Sequence, residues 1–117
     1  MKLPIIVCEG MDINMFSTLE DACSYLEPTD VQKGTYSAYD SDGYLLTLSV
    51  IEKQRSYFGF LNFKNLAVNI ENTMERNKSG ELIDKLVAFL TVVGEKEVKN
   101  TDNLPDLIEL TKAALSK

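Results

Sequence analysis

At 117 residues the chain has the length of one domain, and its 44% hydrophobic and 26% charged residues are those of an ordinary globular fold. Apolar residues recur along its whole length, which excludes a disordered chain, and a core of this size needs no disulfide staple. The net charge is −6, with no histidine. All of that charge lies before Glu52: eight acids oppose two bases there, and ten acids balance ten bases after it.

Leu3 to Cys8 is an apolar run that reads as a buried strand with Pro4 near its start. Met11 to Phe16 continues as a second short strand, with Met11, Ile13 and Met15 on one face. The start carries a short apolar run, early acids and no small-residue cleavage site, so it does not read as a signal peptide. No stretch approaches the ~18 apolar residues of a transmembrane helix. The expectation is a cytoplasmic protein with no membrane attachment.

Ser17-Thr18-Leu19-Glu20 has the pattern of a capping box with Ser17 as the cap, and Leu19, Ala22, Cys23 and Leu26 follow at helical spacing. Pro28 ends that helix. Lys33-Gly34 is a turn, and Thr35 to Tyr39 is rich in β-formers. Asp40-Ser41-Asp42-Gly43 reads as a hairpin loop, with Tyr44 to Ile51 returning as the second strand. Glu52 to Ser56 is polar and charged, the next expected turn. Tyr57 to Phe63 and Leu66 to Asn72 read as two further strands, with Gly59 a candidate bulge and with Leu66, Val68 and Ile70 on one buried face.

Asn77 to Gly80 reads as a turn before the strongest helix, Glu81 to Val93, whose Leu82, Leu86, Phe89, Leu90 and Val93 form a wide apolar face. Gly94 caps it, and Glu81 and Lys85 sit four apart on its outer side. A polar connection, Glu95 to Asn103, leads to a last helix with Pro105 and Asp106 in its first turn. Its expected inner face is Leu107, Ile108, Thr111, Ala114 and Leu115. The predicted fold is a single α+β domain over residues 1–117: a mainly antiparallel sheet with an N-terminal helix and two C-terminal helices packed on one face.

The chemistry-bearing patterns are sparse. Without histidine there is no Ser-His or Cys-His nucleophile pair, and the commonest zinc ligand is missing. The six glycines are scattered and form no phosphate-cradling loop. Asp40 to Gly43 fails as a calcium loop, because Ala38 and Ser49 stand where the anchoring carboxylates belong. Paired carboxylates such as Glu20-Asp21 leave a two-carboxylate enzyme as a rival reading, with nothing in the spacing to set them in a cleft. Cys8 and Cys23 read as two buried thiols. A direct nucleic-acid role needs a basic face, and the bases here are dispersed among equal acids. What remains is an acidic surface that asks for a basic protein partner. Acids and tyrosines coincide from Tyr25 to Tyr44, and tyrosine is favoured at interfaces. The candidate contact residues are Glu27, Asp30, Tyr39, Asp40, Asp42 and Tyr44, on two acidic loops either side of one strand.

The stretch Phe16-Ser-Thr-Leu-Glu-Asp-Ala, then Tyr25-Leu-Glu-Pro-Thr-Asp-Val, then Gly34-Thr-Tyr-Ser-Ala-Tyr-Asp-Ser-Asp-Gly-Tyr-Leu-Leu46 resembles small bacterial immunity proteins of polymorphic-toxin systems, including contact-dependent growth inhibition. The Val93-Gly94 helix end and the Leu-Pro-Asp-Leu start of the last helix fit the same pattern, whereas Glu52 to Phe63 has no counterpart in it. The resemblance implies a non-catalytic, cofactor-free inhibitor that binds the toxin domain of its own system. Such toxins are often nucleases with basic active sites, a ribonuclease being favoured, and an acidic plug is the matching answer. The rival binding reading is a non-catalytic chaperone or adaptor of a secretion system, which takes an amphipathic helix in an apolar groove.

Overall fold

In a computed structural model, residues 1–57, 61–94 and 103–116 are described, with the side chains of 53–57 and 61–65 left aside. Five strands and four helices follow in the order β1 (Ile5–Glu9), β2 (Asp12–Phe16), α1 (Leu19–Tyr25), α2 (Pro28–Gln32), β3 (Tyr36–Tyr39), β4 (Thr47–Tyr57), β5 (Leu61–Glu71), α3 (Ser79–Val92) and α4 (Leu104–Leu115). The α+β class and the antiparallel pairing agree with the sequence reading. The strands form two sheets, β2-β1-β3 and β4-β5, where the sequence suggested one.

The three-stranded sheet is the wall of the fold, and strand alternation sends its side chains to opposite sides. Ile6, Cys8, Ile13 and Tyr39 join Leu82, Leu86 and Leu90 of α3 and Leu104, Leu107 and Ile108 of α4 in one buried cluster. Ile5, Val7 and Ala38 join Ala22, Leu26, Leu46, Val68 and Ile70 in the other. Thus α1 and the root of the β4-β5 ribbon cover one face while α3 and α4 cover the other. The expectation of all helices on one face fails because both faces of the β1 run are apolar, so each demands a cover.

The local differences have local causes. The cap of α1 is Thr18, not Ser17: its hydroxyl accepts from the Asp21 N–H at 3.1 Å. Pro28 does not simply end a helix but opens α2, at a position where its missing N–H costs nothing. The Tyr39-to-Tyr44 hairpin is short, and only the Tyr39–Leu45 bridge joins its arms before β4 departs to pair with β5. Tyr44 and Leu45 then meet the segment before α3, through the Tyr44–Asn77 bridge and the Leu45 N–H bond to the Arg76 carbonyl. Met11 lies outside β2 and is exposed.

Glu52 to Ser56 is no turn. It is continuous strand within β4, in register with Leu66 down to Asn62, and residues 61–71 are one strand rather than parts of two. The proposed bulge at Gly59 lies outside the described residues. Ser79 and Gly80, read as a turn, are the first residues of α3, and Gly94 ends that helix with a φ of +94°. Glu81 reaches inward to accept from the Tyr39 hydroxyl instead of standing on the outer side with Lys85. Asn103 caps α4 through the Asp106 N–H, while the rest of the connection, 95–102, lies outside the described residues. Leu107, Ile108 and Thr111 face inward as expected, and Leu115 is 38% exposed. No helix among the described residues is long and apolar enough to cross a membrane.

Candidate interaction site

The two acidic loops lie at opposite ends of β3. Asp30 meets the first residue of β3, accepting from the Tyr36 hydroxyl at 3.4 Å, whereas Asp40 follows the last. Four strand residues, about 10 Å, separate them.

At the far end the expected contact residues are structural. Tyr39 is fully buried and Asp40 is 2% exposed. The Asp40 Oδ1 accepts from the N–H groups of Asp42 and Tyr44, both at 3.0 Å. Its Oδ2 accepts from Asn72 Nδ2 at 2.9 Å and from the Lys2 N–H at 3.4 Å. Asp40 therefore ties the N-terminal strand, its own loop and the exit of β5 together. Asn and Asp do this in turns because the short carboxylate or amide reaches the backbone two residues on. The Ser41 hydroxyl adds a bond to the Pro4 carbonyl at 2.7 Å. Gly43, at φ +89°, lies so close to α3 that a Cβ there would sit 2.6 Å from Cα and Cβ of Ser79. Tyr39 and Asp40 are thus removed from the contact set by burial. Asp42 is exposed but pairs with Lys2 at 3.5 Å, and Tyr44 is half-buried in its bridge to Asn77.

At the near end Glu27 is exposed and Asp30 half-buried. The aromatic rings gather here. Tyr25 lies between Phe16 and Tyr36, with centroids 5.0 and 6.4 Å away, and Asn14 Nδ2 donates to its hydroxyl at 3.0 Å. Glu9 is in register with both Asp12 and Tyr36. Burial pushes the Tyr36 phenol up, and the charges of Asp30 and Glu9 push it the same way.

Beside this cluster runs a groove of about 810 Å³ between the α1–α2 turn and the ribbon. Four consecutive residues of β5, Leu66 to Asn69, line it, together with Ile51, Leu19, Leu26, Glu20 and Glu27. Strand alternation allows four successive residues to line one groove only if the groove follows the edge of the strand. Three large apolar side chains stay open to it or beside it: Leu19 at 42% exposure, Ile51 at 40% and Leu66 at 50%. An edge of unpaired backbone, a mixed polar and apolar lining and a carboxylate rim are together suited to holding an extended segment that carries positive charge.

The sequence reading missed this groove. It placed Leu66 in a buried row with Val68 and Ile70. The signal was in the opposite strand: Val68 and Ile70 pair with Val50 and Leu48, but Leu66 pairs with Glu52. Glu20 was read as engaged at the start of the first helix, yet the cap is Thr18 and Glu20 lines the groove.

Elsewhere the reactive groups are subdued. Burial pushes the Cys8 thiol up to about 11, with Lys85 opposing and Glu81 reinforcing. Burial likewise raises the Tyr39 phenol, which donates to Glu81. Cys8 and Cys23 belong to opposite faces of the sheet, so no disulfide joins them. Cys23 is only half-buried and lines the groove, in contrast to the expected buried thiol. Among the described residues no group of three cysteines, aspartates or glutamates is placed to hold a metal ion. No protein family, no curated protein and no solved structure matches the chain.

Proposed function

We propose that this chain is an antitoxin-type inhibitor that acts by binding, in which the groove between α1–α2 and β5 receives a basic segment of a toxin domain. The observation that carries the reading is the groove itself: exposed Leu19, Ile51 and Leu66 beside the carboxylates of Glu20 and Glu27. Apolar contact supplies affinity there, and the acids select a cationic partner. Resemblance of the Phe16–Leu46 stretch to immunity proteins supports the toxin domain as that partner. A ribonuclease is the favoured kind, since an enzyme with a polyanionic substrate carries a basic active site. The one-sided charge of the first 51 residues favours fast encounter with such a surface.

The test uses the toxin domain encoded beside this chain, with stopped-flow association measured from low to high salt. The expected result is an association rate that falls at least tenfold over that range, and a further loss of roughly tenfold or more with Glu20→Lys and Glu27→Lys together. A rate flat with salt, and indifferent to both substitutions, overturns the acidic-groove mechanism. It would instead favour the adaptor reading, in which exposed Leu19, Ile51 and Leu66 take an amphipathic helix irrespective of charge.

A further inference from the structure

The hairpin that links the two sheets opens as it leaves its turn. At its closed end the Asp40 N–H donates to the Tyr44 carbonyl at 3.1 Å and the Leu46 N–H to the Ala38 carbonyl at 2.8 Å. Past that second bond β4 turns away to pair with β5, while β3 stays with β1. The arms therefore splay, and a cleft of about 290 Å³ lies between them. Residues 36–38 line one wall and residues 45–48 the other, with Val31 of α2 beside them. Consecutive residues on both walls mean that two strand edges face each other across the cleft. It shares no lining residue with the groove beside β5.

The β3 wall is a free edge. The sheet order is β2-β1-β3, and among the described residues only the Tyr39–Leu45 bridge touches the outer side of β3. The Ala38 carbonyl points to that side, since it accepts from Leu46, and strand alternation sends the Ala38 N–H and the Tyr36 carbonyl the same way. A residue opposite Ser37 in a parallel strand meets both. Its N–H reaches the Tyr36 carbonyl, and its carbonyl reaches the Ala38 N–H. Such an edge is a template for one more strand.

The positive charge of the cleft lies toward its closed end. The Leu45 N–H donates to the Arg76 carbonyl at 2.9 Å, which sets Arg76 there. Its guanidinium lines the cleft and donates from Nη2 to Thr47 Oγ1 at 3.2 Å. That neutral hydroxyl engages one of five donors, Arg76 is exposed, and among the described residues it makes no ion pair with a carboxylate. A segment entering from the open side must end where the Leu46–Ala38 bond stops it. The occupant is therefore a chain terminus, and a guanidinium at the stop selects the carboxylate terminus.

We propose that this cleft captures the free C-terminus of a partner protein, as a strand added parallel to β3 with its terminal carboxylate on Arg76. The added residues would bridge the two sheets at the place where they part. This goes beyond the inhibitor reading and does not rest on it.

The test screens the labelled protein against bead-bound peptides with randomised last residues, made with either a free terminal carboxyl or a terminal amide. Beads with the free acid should be enriched. The best sequence, remade in solution, should bind with a dissociation constant of about 100 µM or tighter. Amidation and Arg76→Ala should each weaken it at least tenfold, with little further loss when the two are combined, because both remove one interaction. Arg76→Lys, which keeps the charge without the fork, should recover only part of the affinity. On titration the amide resonances of residues 36–38 should shift and those of residues 66–69 should not. Equal capture by acid and amide beads, binding indifferent to Arg76→Ala, or shifts confined to residues 66–69 would each overturn the proposal. If Arg76→Ala lowers the melting temperature, the acid-against-amide comparison and the resonance shifts on the wild type decide.

Discussion

Replacing Asp40 separates a structural carboxylate from a contact residue. In the fold its oxygens accept from two backbone N–H groups at 3.0 Å and from Asn72 Nδ2 at 2.9 Å, behind a surface that leaves the residue 2% exposed. Hydrogen bonds to a charged acceptor are each worth about 1.5–3 kcal/mol and are not additive. Asp40→Ala strands four donors at once, the Lys2 N–H at 3.4 Å included, so the expected loss is about 3–5 kcal/mol, a large part of the ~5–15 kcal/mol that holds a domain together. Asp40→Asn keeps an acceptor for the Asp42 and Tyr44 N–H groups but turns an amide NH₂ toward that of Asn72, for an expected loss of about 1–3 kcal/mol. Asn72→Asp restores a donor–acceptor pair in the double variant. Its carboxylate can still accept from the Met74 N–H, as Asn72 Oδ1 does at 2.9 Å. Urea unfolding of the four proteins closes a double-mutant cycle, and a coupling energy of at least about 1 kcal/mol is expected. If Asp40→Ala costs less than about 1 kcal/mol and instead weakens partner binding, the carboxylate is a surface contact and the argument from burial is wrong.

Gly43→Ala should cost at least about 2 kcal/mol, because its Cβ would collide with the backbone of Ser79 at a φ that favours glycine; a thermal melt within a few degrees of wild type would show that α3 shifts freely. Stability should fall in alkali. Burial raises the Cys8 thiol from 9.0 to about 11, and it raises the Tyr39 phenol as well. The folded state therefore holds both protons more tightly than the unfolded chain does. Their contribution is complete below about pH 9 and is lost as the pH rises through the folded values. For Cys8 alone the full linkage is about 3 kcal/mol, so Cys8→Ala should flatten urea-derived stability between pH 9 and 11, and an unchanged slope would contradict this. Thr18→Ala should destabilise by about 1 kcal/mol and Ser17→Ala by much less, and the reverse order would return the α1 cap to Ser17.

What could be read from the sequence was whatever a short window contains. Leu46 and Leu48, and then Val68 and Ile70, alternate because one side of each strand packs on the body: Leu46, Val68 and Ile70 are buried, Leu48 is partly buried against them, and Val50 is half-buried. The apolar face of α3 was legible for the same reason, with Leu82, Leu86 and Leu90 fully buried. Glu52 to Ser56 misled because the run has no apolar alternation of its own, and its strand state shows only in its pairing with residues 62–66. Asp40 showed as a turn residue, but its burial depends on Lys2 and Asn72, which lie 38 and 32 positions away. The candidate site divided along the same line. Glu27 and Asp30 are accessible or partly so on a short helix start, while the residues that turn acids into a groove, Leu19, Ile51 and Leu66, meet only through the packing of α1 beside β5.

The Asp40–Asn72 bond also makes the ribbon a detachable length of chain. It closes the loop from the end of β3 to the exit of β5, so the body is held shut at the point where the ribbon leaves and returns. Beyond Val50 and Val68 the two strands pair in register only with each other. Removing or adding residues in facing pairs there changes the reach by about 3.4 Å per pair and leaves both cores as they are. Ribbon length is therefore a dimension in which relatives of this chain can diverge without refolding.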